Sequence, residues 1–188
     1  MKLTGSYQIN LEKQKVWEAL NDPEILKQAI PGCEEFKKNS DTEFTATATN
    51  KIGPFNASFT GDIELTDLNP PNSYKIIGSG NSSVGFASGE ALVKLQTQDD
   101  GTKLTYSVEA NVGGKIAQLG GRLIDMTAKK MADVFFGKFS ELITPKIISD
   151  KSKISSKPDI SRKIKFSKKI LIYPVLILLA LLILYLVS

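Results

Sequence analysis

The sequence contains no histidine and a single cysteine, Cys33, among its 188 residues. Without histidine there is no Ser-His-Asp or Cys-His catalytic pair, no histidine-ligated metal and no imidazole that titrates near neutral pH. One cysteine excludes an intrachain disulfide and a cysteine-rich zinc site, so nothing in the cysteine content requires an oxidising compartment. Cys33 follows a turn and has no histidine to activate it, which favours a structural thiol.

Positive charge is also missing from most of the chain. Residues 1–143 carry 15 Lys and Arg against 18 Asp and Glu, a net charge of −3, whereas residues 144–188 carry nine against two, a net charge of +7. The sequence pI near 9.0 therefore reflects the tail and not the main region. Because a nucleic-acid-binding domain carries basic residues on its folded surface, we expect no nucleic-acid partner.

The tail contains the longest uncharged run of the sequence. Residues 170–187 are 18 residues without a charged side chain, and all of them are apolar or aromatic apart from one proline. As a helix this run would be about 27 Å long, close to the roughly 30 Å of a bilayer core. It lacks the polar face of a soluble helix, so it predicts a single transmembrane helix that serves as a tail anchor. A buried core helix or a hydrophobic hairpin is the alternative.

The residues before this run determine the predicted orientation. Residues 144–169 contain nine Lys and Arg, two prolines and several serines, which predicts a flexible basic linker that is attracted to anionic headgroups. By the positive-inside rule, the main domain lies on the cytoplasmic side of a cell membrane that the chain crosses once. The membrane-flanking basic residues are Arg162, Lys163, Lys165, Lys168 and Lys169.

The first 143 residues alternate apolar and polar side chains with a period of two. Half-buried antiparallel strands with one wet face have this pattern. Turn signals at Gly53-Pro54, residues 69–72 and residues 99–101 separate the alternating segments. The segments are residues 3–9, 42–52, 55–65, 74–80, 87–95 and 104–112.

Three helices are predicted beside the strands. Asn10 is expected to cap a short helix that runs through Leu20, and Asp22-Pro23 is expected to open a second that ends at residues 30–32. The long helix is expected from about Leu119 to Ile143, with a broad apolar stripe. The predicted stripe comprises Leu119, Leu123, Met126, Val134, Phe135 and Leu142, and leaves out Phe136 and Phe139.

These elements predict an α+β fold. A sheet with one wet face must bury its other face, and the last helix is the only predicted element large enough to cover it. We therefore expect a curved antiparallel sheet of about seven strands around one long C-terminal helix, with two short helices after the first strand. The predicted organisation is a domain at residues 1–143, a linker at 144–169 and a transmembrane helix at 170–187.

The predicted inner face of the sheet mixes large aromatic side chains with many small ones. Small residues opposite a helix either allow close packing and sheet curvature or leave an apolar cavity for a lipophilic ligand, and both interpretations remain open. The face offers tyrosine hydroxyls as hydrogen-bond donors but no other ionisable group, so no catalytic residue is predicted. The candidate cavity-lining residues are Tyr7, Phe44, Ala46, Phe55, Ala57, Phe59, Tyr74, Ala91, Tyr106, Leu119, Leu123 and Met126.

Several short motifs resemble one known family in their order and spacing. They include Asp22-Pro23, Ile30-Pro31-Gly32-Cys33, Lys51-Ile52-Gly53-Pro54-Phe55 and Asn69-Pro70-Pro71. The most specific block is VGGKIAQLG at residues 112–120, which is followed by Arg122-Leu123-Ile124. Over residues 1–143 these motifs resemble CoxG, a family of carbon monoxide dehydrogenase subunits.

The resemblance implies a START-like helix-grip (SRPBCC) fold with a deep cavity between sheet and helix. It also implies an accessory protein that recruits a molybdenum-containing carbon monoxide dehydrogenase, or a related molybdenum hydroxylase, to the cytoplasmic membrane. The ligand that it implies is a prenylquinone, with no covalently bound cofactor, no metal and no catalytic residues. The alternatives are a docking tether without a ligand and, as in some helix-grip relatives, a cyclase- or hydrolase-type enzyme.

Overall fold

A computed structural model describes residues 1–144 of the chain. A 3₁₀ helix, Lys115–Leu119, connects the last strand to the last helix. In chain order the other elements are β1 (Lys2–Ile9), α1 (Lys13–Ala19), α2 (Pro23–Ala29), β2 (Cys33–Lys38), β3 (Glu43–Ile52), β4 (Phe55–Asn69), β5 (Ser73–Asn81), β6 (Gly85–Gln98), β7 (Gly101–Gly114) and α3 (Gly121–Ile143).

The seven strands form one antiparallel sheet in the order β1-β7-β6-β5-β4-β3-β2. Strands β2 to β7 are joined by consecutive hairpins, and β1 completes the sheet by pairing with β7. The edge strand β2 has a register shift between Cys33 and Glu35. This seven-stranded curved sheet with a C-terminal helix confirms the predicted α+β class and strand number.

Alternation along the strands divides the sheet into an apolar inner face and a polar outer face. On β4, for example, Ala57, Phe59 and Ile63 are buried, while the polar residues that alternate with them are exposed. The buried side chains of the sheet, of α1 and α2 and of one side of α3 form a single hydrophobic cluster. The period-two prediction is therefore confirmed, and the strands extend beyond the predicted segments at several ends.

The two short helices follow β1 as predicted, but the first begins later than expected. Asn10 does not cap it, because the Leu11 N–H bonds to the Ile9 carbonyl and carries the chain past Asn10 in a turn. Glu12 is the N-cap of α1 and makes no side-chain cap bond. The prediction for α2 is confirmed, since the Asp22 carboxylate accepts hydrogen bonds from the N–H groups of the first turn and Pro23 is the first helical residue.

The long helix was predicted with the wrong phase. Leu119 belongs to the 3₁₀ helix, and Gly120, with a φ of 86°, separates it from α3, so Leu119 cannot set the helical phase of α3. Leu123, Met126 and Val134 are exposed. Phe135 is buried as predicted, and so are Phe136 and Phe139, which the prediction left out. The buried stripe also includes Ile124, Ala128, Met131 and Ala132.

The predicted transmembrane helix at 170–187 and nearly all of the predicted basic linker lie outside the described residues. Within residues 1–144, no helix combines the length and the apolar character needed to cross a bilayer.

Candidate functional site

The interior between the sheet and α3 is the candidate site that the sequence predicts. The structure buries Phe44, Phe59 and Tyr74 among the large predicted lining residues. Ala46 and Ala91 are each 0% exposed, so no water-sized space adjoins either methyl group. In the described structure the small residues of the inner face are therefore packed over rather than left open.

The glycines of this face explain part of that packing. A Cβ added at Gly89 would overlap the carbonyl oxygen of Glu109 on the neighbouring strand, and one added at Gly61 would lie 2.9 Å from the carbonyl oxygen of Ser79. Glycine is thus required by close approach of the backbones. At these two positions the structure favours sheet curvature over a pocket as the reason for a small residue.

Tyr74 differs from the other tyrosines of the site. Its side chain is 0% exposed and lies edge-on against Trp17, with ring centroids 5.5 Å apart. No described residue provides a hydrogen-bond partner for its hydroxyl. Burial raises the pKa of Tyr74 well above its ordinary value, so the hydroxyl stays protonated. Buried hydroxyls almost always have a partner, which makes this one a donor that lacks an acceptor.

Tyr7 and Tyr106 lie close together, but their side chains already make contacts with other residues of the domain. The Tyr7 hydroxyl donates a hydrogen bond to the carboxylate of Asp133 on α3, and the Lys129 ammonium lies 3.3 Å from the same carboxylate. The Tyr7 ring stacks on Phe136 with a centroid distance of 4.1 Å, and the Tyr106 ring stacks on Phe136 at 5.8 Å. This cluster attaches α3 to β1 and β7, so these hydroxyls are poor candidates for ligand donors.

The electrostatics of the cluster reinforce the attachment. Burial, and then the hydrogen bond to Asp133, raise the pKa of Tyr7 far above its ordinary value. The hydrogen bond from Tyr7 lowers the pKa of Asp133, so at neutral pH a protonated phenol faces an ionised carboxylate. Gly5 makes room for the cluster, because a Cβ at this position would overlap the Tyr106 hydroxyl.

The remaining predicted lining residues lie at one end of the interior. Leu119 and Phe55 are half-buried, and a Cβ added at Gly53 of the β3–β4 turn would lie 3.5 Å from a Leu119 methyl carbon. Leu123 and Met126, which were predicted to line a cavity, are 39% and 63% exposed. The wrong helical phase predicted for α3 explains why these two residues were placed in a cavity. In the structure they are exposed apolar side chains on the N-terminal half of the helix.

Within residues 1–144, no acidic or basic side chain is buried. Apart from Tyr74 and Tyr106, the buried residues with polar side chains are Asn21 and Thr102, and neither of these is ionisable. No group of three or more acidic or cysteine side chains in this part of the chain could hold a metal ion. Burial raises the pKa of the Cys33 thiol to about 11, which keeps it in its unreactive protonated form.

Two shallow depressions lie on the outer face of the sheet, away from the predicted site. The first, of about 500 Å³, is lined mainly by residues of β3, β4, β5 and β6, and the second, of about 380 Å³, by residues of β1, β5, β6 and β7. Ile77 and Gly89 line both of them. Sequence reasoning missed this surface, because only the register of the strands brings its residues together.

Comparisons with known proteins place the chain among helix-grip proteins. A family model for the carbon monoxide dehydrogenase subunit called CoxG matches residues 5–144. A solved structure described as a conserved protein from Geobacillus kaustophilus is 32% identical, with a TM-score of 0.73, over 76% of this chain and 95% of that one. Comparison with curated proteins finds no match.

More distant solved structures share the fold alone. A protein from Mycobacterium smegmatis is 18% identical with a TM-score of 0.57, over 75% of this chain and 89% of that one. The Zhui aromatase/cyclase from Streptomyces is 13% identical with a TM-score of 0.53, over 76% and 93% of the two chains. These likenesses confirm the predicted helix-grip (SRPBCC) fold.

Proposed function

The chain belongs to the CoxG family of carbon monoxide dehydrogenase subunits, and on that premise we propose that it is an accessory protein of a molybdenum hydroxylase such as carbon monoxide dehydrogenase. In this role it recruits the enzyme to the cytoplasmic membrane and carries a lipophilic ligand for it. The lack of a buried acidic or basic side chain within residues 1–144 supports a carrying or docking role. The redox chemistry is then left to the partner enzyme.

The single observation that carries the ligand proposal is the Tyr74 hydroxyl. It is buried in an apolar interior, it stays protonated, and no described residue accepts its hydrogen bond. A ligand with a carbonyl oxygen on an apolar body would supply the acceptor and bury its own surface against the apolar side chains of the interior, of which Trp17 lies beside Tyr74. A prenylquinone has this combination, because its ring carries carbonyl groups and its isoprenoid chain is apolar.

Ligand access requires a change from the packed state, since Ala46 and Ala91 leave no space beside them. The N-terminal half of α3 is the part best suited to move. Its Leu123 and Met126 side chains are exposed, and a Cβ at Gly120, where α3 joins the 3₁₀ helix, would contact nothing within 4 Å. The proposed route for the ligand runs between this half of α3 and the β3–β4 turn. Because the register places Tyr74 near the β4–β5 turn, at the other end of β4, the ligand must extend along the interior to reach it.

The membrane attachment is the second part of the proposal. It is supported by the uncharged run at 170–187 and by the basic residues that precede it, from Arg162 to Lys169. Anchored in this way, the domain would stay at high local concentration near the bilayer that supplies the ligand.

A docking tether without a ligand is the second candidate function, and the closed interior favours it. Ala57→Trp and Ala91→Phe separate the two roles, because each would block, from the sheet side, the space that a ligand needs when the packed interior opens. A tether should still copurify its dehydrogenase after either substitution, whereas a carrier should lose its quinone. Two positions are used because overpacking at either one could cost about 1–3 kcal/mol of stability.

The direct test is lipid analysis of the full chain purified from its source membranes, by native mass spectrometry and lipid extraction. Tyr74→Phe removes only the partnerless hydroxyl, so it should leave the protein at least as stable and lower its quinone content about fivefold or more, as expected for loss of one buried hydrogen bond. The matched control is Tyr7→Phe, whose hydroxyl already bonds to Asp133. It should keep the quinone. Absence of any lipophilic molecule from the unmodified chain would exclude the carrier role.

A further inference from the structure

One row of side chains crosses the outer face of the sheet from β3 to β1. The strand register sets Glu43 opposite Glu64, Glu64 opposite Ile77, and Ile77 opposite Glu90. Glu90 is in turn opposite Glu109, which faces Lys2 at the edge of the sheet. We call Glu43, Glu64, Glu90 and Glu109 the acidic row, and all four are exposed.

The acidic row places like charges directly across from one another. Two of its neighbouring pairs, Glu43 with Glu64 and Glu90 with Glu109, are directly opposed on adjacent strands, an arrangement that destabilises a sheet. Lys75 lies 2.6 Å from Glu90 and Lys2 lies 2.8 Å from Glu109. Among residues 1–144, Glu43 and Glu64 form no ion pair, so part of the row keeps its negative charge uncompensated.

An apolar side chain stands at the centre of the row. Ile77 is 43% exposed on a face where its neighbours in the row are acidic, and the two outer depressions meet beside it. A surface that combines an exposed apolar centre, flanking recesses and unbalanced negative charge is suited to a basic segment with apolar residues between its charges.

The chain itself contains a segment of this chemistry. Residues 146–169 carry nine Lys and Arg against two Asp, and isoleucines and Phe166 are interspersed among them. This segment follows α3 closely in sequence. It can extend over about 80 Å, whereas a domain of this size has a radius of gyration of about 15 Å, so it is long enough to reach the outer face.

We propose that residues 146–169 bind across the acidic row of their own chain, with the basic side chains at Glu43 and Glu64 and an apolar side chain at Ile77. The covalent attachment makes this an intramolecular contact with a high effective concentration. An anionic bilayer would compete for the same basic side chains, so the contact would hold the segment when such a surface is absent and release it when one is near.

The test uses the full chain in uncharged maltoside micelles, with a nitroxide on Ser155→Cys in a Cys33→Ser background. We expect paramagnetic broadening of the backbone amides around Ile77. Glu43→Gln with Glu64→Gln should reduce it about three- to tenfold, as expected when two exposed ionic contacts are lost. About 0.5 M salt, where the Debye length falls to about 4 Å, should have a similar effect. Anionic nanodiscs should also reduce it.

The matched control neutralises two exposed acids on helices, Glu18→Gln and Asp125→Asn, and should leave the broadening unchanged. Equal losses in both double variants, or broadening spread evenly over the domain, would contradict binding at the acidic row. A mixture of spin-labelled and isotope-labelled chains tests for a second copy. Broadening in that mixture would mean that the segment binds another chain, which also overturns the proposal. None of these results depends on a bound quinone or on the partner enzyme.

Discussion

The two halves of α3 bury side chains of different size although they belong to one continuous helix. In the C-terminal half, Phe135, Phe136 and Phe139 are each no more than 2% exposed and form an aromatic cluster that packs against Tyr7. The N-terminal half buries smaller, non-aromatic side chains, Ile124, Ala128 and Met131, and leaves Leu123 and Met126 exposed.

Because aromatic side chains bury more apolar surface, this difference indicates that α3 is held more firmly by its C-terminal half than by its N-terminal half. Its contacts with other elements are mainly with α2 and β1, and the Tyr7–Asp133 hydrogen bond adds a polar link at mid-helix. The N-terminal half begins at two successive glycines, Gly120 and Gly121, where an added Cβ would meet no neighbour. A helix held in this way would open first at its N-terminal end, which is the motion that the proposed carrier function needs.

The largest expected effect on stability comes from the C-terminal half of α3. Phe139→Ala should destabilise the domain by about 3–5 kcal/mol, because it removes a large, fully buried side chain and leaves a cavity. Unfolding can be followed by the fluorescence of Trp17, the single and buried tryptophan. A loss below about 1 kcal/mol, typical of a surface site, would show that the C-terminal half is not the anchor.

A smaller effect is expected at the polar link. Tyr7→Phe should cost about 1 kcal/mol, since the hydrogen bond is to a charged group but the carboxylate is half-exposed. The cost should depend on pH. Because Tyr7 lowers the pKa of Asp133 in the folded state, the stabilisation is present above the unfolded carboxyl pKa of about 3.9 and is lost as the pH falls through the lower folded value.

The measurement is the difference in unfolding free energy between the unmodified chain and Tyr7→Phe as a function of pH. It should be constant near neutrality and shrink below about pH 4. A difference that grows as the pH falls has the wrong sign for a depressed carboxyl pKa and would rule out Asp133 as the acceptor that matters.

The smallest effect on stability is expected at the exposed side chains of the N-terminal half of α3. Met126→Ser changes an exposed side chain, so the unfolding free energy should shift by no more than about 0.5 kcal/mol. If this half lines the route for a lipophilic ligand, the same substitution should slow quinone loading measured by lipid extraction. A stability loss comparable with that of Phe139→Ala would instead mean that both halves are anchored, and the contrast between them would disappear.

The strands could be predicted from the sequence and the helix phase could not. The alternation of apolar residues such as Ala57, Phe59 and Ile63 with polar ones depends only on which face of a strand is exposed to solvent. The local sequence shows this directly. The phase of α3 depends on the break at Gly120 and on the aromatic contacts of Phe136 with β1 and β7, which lie far away in sequence. Leu119 lies before that break, so counting helical turns from it predicted the wrong buried side for the N-terminal half of the helix.

The candidate site shows the same division. Sequence patterning identified Tyr74 as an inward residue, but it could not tell that Tyr7 has a partner and Tyr74 has none. The small residues at Ala46 and Ala91 were compatible with both a cavity and close packing, since side-chain size alone does not say what lies opposite. The acidic row was invisible for a related reason: its members are separated by up to dozens of residues, and only the register aligns them.

The edge strand β2 has a consequence for behaviour in a crowded setting. An open sheet leaves backbone donors and acceptors unpaired at its margins, and these can recruit another chain into a growing sheet. Here β2 is only six residues long, four of which are charged, and its register shift at Cys33 distorts the exposed margin. Each of these properties discourages aggregation through the β2 edge, so copies crowded together, as the proposed membrane attachment would crowd them, would not pair along this margin.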